Sequence, residues 1–237
     1  MVSIIIPTYN EEDSLPVMLE HLARVRGDFE VIVADGSSTD RTRDCVREQA
    51  GRYPRCLRLV ETARCRAVQL NCAAQIVRGD VLLFLHADIV VPPGAVEAIE
   101  AKLVDGLIVG GNFQIVFEGN SPVTRFFTWV YHVRRPFGIY YGDSGVFVRR
   151  KVFEQMGGFK PIPIMDDYEF VRRLERSGRT AYLKPAFLVS DRRWRVQGLF
   201  PTLVSWFWIQ TLYSLGVPAR CLARWYGPVR NDGKAIE

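Results

Sequence analysis

At 237 residues, 48% hydrophobic and 24% charged, the chain can bury a substantial core and is too ordinary in composition for a disordered or fibrous protein. A net charge of +5 suits an anionic partner such as a nucleotide or a lipid headgroup; with no defined basic motif it gives no reason to expect nucleic acid. The five cysteines form no C-x-x-C pair and read as free thiols of a reducing compartment, and no apolar run is long enough for a membrane span, so a cytoplasmic protein is expected.

Val2 to Ile6 is a short apolar run closed by Pro7, the mark of a buried strand. Glu11 to Val25 follows as a helix with Leu15, Met18, Leu19 and Leu22 on one face. Phe29 to Ala34 is a second strand, and Asp40 with its neighbouring hydroxyls can cap a helix running to about Arg52. Leu57 to Val60, a helix over Arg66 to Val77 and a strand from Asp80 to Leu85 continue the alternation, which defines a doubly wound parallel sheet.

Beyond Asp88, Pro92-Pro93-Gly94 opens a helix to about Val104. Leu107 to Phe117 is extended, with a bulge or bend expected at Gly110-Gly111. Ser121 to Arg135 reads as an aromatic-rich helix and Tyr140 to Val148 as a strand, with Gly142-Asp143-Ser144-Gly145 near its start. After a short helix, Asp166 to Ser177 is a helix closed by Gly178 as its C′ glycine, and Ala181 to Val189 holds one or two short strands. Gly198 to Tyr226 is apolar, aromatic and helical. The expected organisation is one domain over 1–195, its two halves meeting at about 105–106, followed by an amphipathic helical extension over 196–237.

The polar groups that stand out follow a strand or start a helix, positions that gather at one edge of a parallel sheet. Val81-Leu82-Leu83-Phe84-Leu85 is a strand buried on both faces that ends by presenting His86 and Asp88. Thr8, Asn10, Asp35, Asp40, Asp143 and the pair Asp166/Asp167 belong to the same edge. Neither a phosphate-binding G-x-x-x-x-G-K-[ST] loop nor a G-x-G-x-x-G after the first strand occurs.

Ile5-Ile6-Pro7-Thr8-Tyr9-Asn10-Glu11, Asp35-Gly36-Ser37-Ser38-Thr39-Asp40, Leu85-His86-Ala87-Asp88 and Met165-Asp166-Asp167, in this order, resemble a family 2 glycosyltransferase of the GT-A fold. Arg66-Ala67-x-Gln69-x-Asn71 and Tyr141-Gly142-Asp143-x-Gly145-x-Phe147-Val148-Arg149-Arg150 are similar to a short bacterial subgroup. The resemblance implies a mostly parallel Rossmann-like sheet flanked by helices and an inverting transfer from a nucleotide-diphosphate sugar to a hydroxyl acceptor. By position it places Pro7, Thr8, Tyr9 and Glu11 around the nucleoside, Asp35 on the base and Arg66 near the nucleotide. It makes Asp88 the ligand of a divalent metal, Mn2+ or Mg2+, and Asp167 the general base beside Asp166. Two positions depart from the family pattern: His86 stands where the first acid of D-x-D is usual, and Asp166 where Glu is usual.

Elementary chemistry agrees with these roles. A divalent ion can stabilise a leaving diphosphate by several kcal/mol, and a hard cation prefers oxygen ligands. Single-step inversion needs a base on the face opposite the leaving group, worth roughly 10²–10⁴-fold. Asp191-Arg192-Arg193-Trp194-Arg195 is expected to cross the mouth of the site, with Trp194 as a stacking face and Arg195 on the diphosphate, and Gly142-Asp143 forms an acceptor-side loop. The apolar segment 198–226, with Phe200, Leu203, Trp206, Phe207, Ile209, Leu212, Tyr213 and Leu215, either packs on the domain or rests on the inner face of a membrane, its arginines on lipid phosphates. The second position would imply a lipid-linked acceptor. The alternatives are a nucleotidyltransferase, which would be expected to carry a Gly-rich basic loop after the first strand, and a non-catalytic nucleotide-sugar or membrane-binding module.

Overall fold

The computed structural model describes residues 1–119, 121–190 and 199–225. Strands β1 (Val2–Thr8), β2 (Phe29–Asp35), β3 (Leu57–Glu61) and β4 (Val81–Phe84) alternate with helices α1 (Ser14–Ala23), α2 (Thr42–Ala50) and α3 (Arg66–Gln75). A two-stretch remainder follows: β5 (Ile89–Val90), α4 (Ala95–Leu103), β6 (Ile108–Phe117) and α5 (Pro122–Arg134), then β7 (Val146–Arg149), α6 (Arg150–Gln155), α7 (Asp166–Ser177) and β8 (Arg179–Val189). Two C-terminal helices, α8 (Leu199–Ser214) and α9 (Ala219–Ala223), complete the described chain.

One eight-stranded sheet has the order β3-β2-β1-β4-β7-β6-β8-β5. β1, β2, β3 and β4 pair in parallel, as do β6 and β8, whereas β7 and β5 run against their neighbours. The expected parallel first half is therefore present, and it is extended by a mixed half. Alternation along β1 explains the layering. Ile4 and Ile6 face a core with α1 and α4 residues such as Leu15, Leu19 and Ile99. Ile5 points the other way, into a core with Leu70 of α3 and Phe170 and Leu174 of α7. Burying each such side chain contributes about 1.5–3 kcal/mol. Phe84, at the end of β4, is the hub of the second core, with ring centroids 5.5 Å from Phe153, 4.9 Å from Phe159 and 6.0 Å from Phe170.

Several local expectations change. Tyr140 to Ser144 is not strand: Gly142–Ser144 forms a 3-10 turn, Gly145 adopts φ +62°, and only then does β7 begin. Gly145 also leaves no room for a Cβ against the Phe187 ring. Gly178 does close α7, but with extended backbone at φ 163°. Its small size matters instead, since a Cβ there would lie 2.5 Å from Val109 Cγ1. The expected bulge occurs between Ile108 and Gly110, and at Gly110 and Gly111 a Cβ would collide with the carbonyls of Phe147 and Ala181. The segment 181–189 belongs to one strand that starts at Arg179. α5 is capped as Ser121 suggests, its hydroxyl accepting from the Thr124 amide at 3.1 Å.

Candidate active site

The carboxyl ends of β1 and β2 lie side by side, Thr8 opposite Asp35, and the β1–α1 and β2–α2 loops above them brace one another. The Asn10 amide donates to Ser38 Oγ (2.9 Å), and Asn10 Oδ1 accepts from the Thr39 amide (2.9 Å). The Glu11 amide donates to Thr42 Oγ1 at 2.7 Å, and Asp40 accepts from the Thr42 amide at 3.0 Å, so Asp40 meets the first amide of α2 while Arg41 occupies the N-cap position. Gln69, from α3, ties the strand ends from below, its amide donating to the carbonyls of Thr8 (2.8 Å) and Ala34 (2.7 Å). The Arg64 guanidinium lies 3.7 Å over the Tyr9 ring.

Asp35 is fully buried. One of its oxygens accepts from the Ser38 amide at 2.8 Å, the bond of a tight turn, while Oδ1 has no partner. Among the described residues, the other buried side-chain polar atoms without partners are Thr8 Oγ1, Asp143 Oδ1, Arg66 Nε and Arg58 Nε. All but Arg58 belong to the candidate residues. A buried unmet polar atom costs about 1–3 kcal/mol, so their concentration at one edge is the expected signature of a place where a ligand supplies the partners.

Across this edge stand the α7 carboxylates. Met165, at φ 63°, turns the chain into α7 so that Asp166 and Asp167 occupy its first turn, where the helix dipole favours negative charge. Asp166 is 7% exposed and receives Arg66 Nη1 at 2.7 Å. Burial raises its carboxyl above the ordinary aspartate range, with Arg66 opposing that rise. Asp167 Oδ2 accepts from the Gly142 amide at 2.9 Å and Oδ1 from the Tyr168 amide at 2.7 Å. Arg66 Nη2 lies 3.3 Å from His86 Nε2. Gly142 is the point where these groups meet: a Cβ there would collide with Arg66 Nη2, and would lie 2.9 Å from His86 Nε2 and 3.3 Å from Asp167 Oδ2.

Asp143 lies half-buried beside them with its Oδ1 shielded from solvent, its Oδ2 accepting from the Tyr131 hydroxyl at 2.9 Å. Burial pushes its carboxyl up to about 7; Asp167 and Asp88 add to the rise, while Tyr131 and Arg66 oppose it. Asp88, just beyond β4, is exposed, and beside it opens a cavity of about 240 Å3 lined by Met18, His21, Glu118 and Ser190 among others. A hard divalent cation fits this donor chemistry. Asp88 offers an accessible carboxylate and Asp143 Oδ1 a second oxygen nearby, few enough that phosphate oxygens would be needed to complete a shell. Among the described residues no group of three or more His, Cys, Asp or Glu could hold a metal by itself.

The structure thus brings together Arg66, His86, Gly142, Asp143, Asp166 and Asp167, and places Pro7, Thr8, Tyr9, Glu11 and Asp35 on the adjoining strand ends. Trp194 and Arg195 lie outside the described residues. Sequence reasoning missed Tyr131, Arg134 and Gln210, and had Tyr141 only as part of a motif. Tyr141 OH and Arg134 Nη2 both donate to Gln210 Oε1, which seats α8 against the acceptor-side loop. Asn71, noted only as part of a pattern, makes two bonds to the Phe159 backbone (2.8 and 2.9 Å), fixing the glycine loop at 157–158 on α3.

A parallel half joined to a mixed half, with carboxylates at the shared edge, defines a glycosyltransferase fold of the GT-A type, and solved structures share it. A mannosyltransferase from Pyrobaculum calidifontis, in complex with GDP-Man and Mn2+, superposes with a TM-score of 0.66 at 24% identity, covering 86% of this chain and 64% of its own. S. aureus TarS 1-349 in complex with UDP-GlcNAc gives 0.66 at 20% identity, covering 80% and 58%. The model of glycosyl transferase family 2 matches residues 3–157, and the chain belongs to that family. An uncharacterized glycosyltransferase of Haemophilus influenzae is 28% identical over 188 residues, 73% of this chain and 62% of the relative. An undecaprenyl-phosphate 4-deoxy-4-formamido-L-arabinose transferase of Pseudomonas fluorescens is 28% identical over 62% of this chain and 46% of its own length. A dolichol-phosphate mannosyltransferase of Pyrococcus furiosus is 30% identical over 48% and 32%. The chain spans from about a third to under two thirds of the length of these curated relatives.

Proposed function

We propose that the protein transfers a sugar, with inversion, from a nucleotide-diphosphate sugar to a hydroxyl acceptor. One observation carries the reading. The unpartnered atoms of Thr8 and Asp35 mark a nucleoside seat at the same sheet edge where Asp167 is held by two backbone amides. Those amides hold and aim the Asp167 carboxylate, as a general base requires. As the bond from the anomeric carbon to the diphosphate breaks and the acceptor oxygen bonds to that carbon, Asp167 takes the acceptor proton. Asp166 keeps Arg66 beside the developing negative charge. Asp88 would hold Mn2+ or Mg2+, which when bound stabilises charge on the leaving diphosphate. Family membership favours this reading over a nucleotidyltransferase.

The acceptor side supports a lipid-linked acceptor, in line with the two relatives named for undecaprenyl and dolichol phosphate. α5 turns Phe126 and Trp129 to the surface, α8 turns out Phe207 and Trp208, and Phe137 is 73% exposed. α8 is apolar on both faces and so less amphipathic than its sequence position suggests: Ile209 is buried and Trp206 packs on the first core. Residues 199–225 contain no acidic side chain, and Arg220 and Arg224 are exposed. Among the described residues no helix is long and apolar enough to cross a membrane, so a protein resting on the inner leaflet is the arrangement proposed.

The test is calorimetry with UDP- and GDP-sugars, with and without MnCl2, followed by transfer assays. Asp167→Asn should bind donor normally and lose transfer by roughly 10²–10⁴-fold. Asp88→Ala should abolish the metal dependence of binding. Binding that ignores EDTA in the wild type removes the metal role, and turnover within about tenfold of wild type in Asp167→Asn removes the base.

A further inference from the structure

α8 does more than cover the domain. The bond that fixes the candidate base joins the Gly142 amide to Asp167 Oδ2. Each end of that bond is flanked in the chain by a tyrosine, Tyr141 before Gly142 and Tyr168 after Asp167. The two rings face one another at 5.8 Å, and both meet α8. Tyr141 donates its hydroxyl to Gln210 Oε1, and Tyr168 packs edge-on against Tyr213 at 6.2 Å. Arg134 of α5 donates to the same Gln210 oxygen. An arginine can only donate, so the carboxamide orientation is fixed, and with it the acceptor that Tyr141 meets.

Gln210 is the sole carboxamide in α8, set among apolar and aromatic neighbours. A half-buried amide in such a helix is costly unless its bonds are met, so it specifies one register of α8 against the loop. The loop has little slack, because Gly142 is already crowded by Arg66 and His86. A shift of Tyr141 therefore moves the Gly142 amide and loosens Asp167.

We infer that α8 completes the catalytic apparatus, with Gln210 acting as a positioning residue that aligns Asp167 through Tyr141 and Gly142. The inference rests on Asp167 being the base. It also joins the helix that carries the exposed aromatics to the chemistry, so that α8 must be docked for the base to be in place.

The experiment compares the wild type with Gln210→Leu and Gln210→Glu in the full chain. Hydrogen exchange is followed over peptides covering 140–146, and steady-state kinetics are measured with the UDP- or GDP-sugar that the protein turns over. In Gln210→Leu the Gly142 amide should exchange about tenfold faster or more. kcat should fall about tenfold or more, while KM for the nucleotide-sugar stays within about twofold. Gln210→Glu keeps an acceptor of the same length and should restore both, at an unchanged melting temperature. Unaltered exchange and kcat in Gln210→Leu, or equal losses in Gln210→Glu, overturn the inference. Full turnover in Asp167→Asn overturns the base reading separately, because the exchange measurement reports the carboxylate's alignment without using catalysis.

Discussion

On the β1–β2 side of the cleft, the groups that face a ligand hang directly from strand ends. Thr8 and Asp35 are register partners, held by ladder bonds and by Gln69 beneath them. They keep polar atoms unmet. On the α5–α7–α8 side, position depends on side chains reaching across the fold: Arg66 to Asp166, Tyr131 to Asp143, and Tyr141 to Gln210. Under the proposed function the donor side is thus a rigid mould, whereas the acceptor side is a network in which one change is felt by several members.

This contrast can be broken at either end. Short of removing the candidate base itself, the largest effect is expected at Gly142. Gly142→Ala should lower kcat about 10²-fold, because the methyl displaces Arg66 and His86 and tilts Asp167. Its melting temperature should hardly move, since the Arg66 tip can swing aside; steady-state kinetics alongside thermal melts decide, and full activity would sink the idea of a tight network. Thr8→Val should weaken nucleotide binding about tenfold. It should leave the ligand-free protein as stable as before or more so, because an unmet buried hydroxyl is removed; calorimetry and melts check both halves. A ligand-free protein that loses stability would mean that the donor side is itself a network.

A further effect is one of pH at Asp143. Its folded carboxyl keeps the proton up to about 7, against an ordinary 3.8. Between those values the unfolded chain binds fewer protons at this position, so the contribution of Asp143 to stability is greatest below the lower value and falls as pH rises to the upper one. Asp143→Asn lacks that slope. The melting-temperature difference, variant minus wild type, should therefore grow from acid to neutral pH and then level off.

The donor side was legible because its signals are local. Apolar runs closed by Pro7, by Asp35-Gly36 and by His86-Ala87-Asp88 announce strands that end in ligand groups. The acceptor side was legible only in part. Asp166 and Asp167 announce a helix start, but nothing in the sequence around Tyr131 says that its hydroxyl meets Asp143, since a tyrosine in an aromatic helix reads as core. Gln210 gives no signal beyond being the odd polar residue in an apolar helix. The order β4-β7-β6-β8 is equally silent, because antiparallel insertion depends on pairings far apart in sequence. Gly178 shows the opposite error. A glycine after a helix suggests a left-handed cap, yet here its absent side chain makes room for Val109.

Among the described residues, three that are not glycine adopt positive φ, and all three border the cleft: Asn10, Ser37 and Met165. Each such conformation costs of order 1 kcal/mol or more. Glycine would relax all three, yet Asn10 Oδ1 holds the Thr39 amide and Ser37 Oγ reaches the Thr62 carbonyl, so side chains are retained where backbone comfort argues against them. The cleft rim is consequently the part of the molecule from which stabilising variants are easiest to obtain. Selection for heat resistance alone would erode it first.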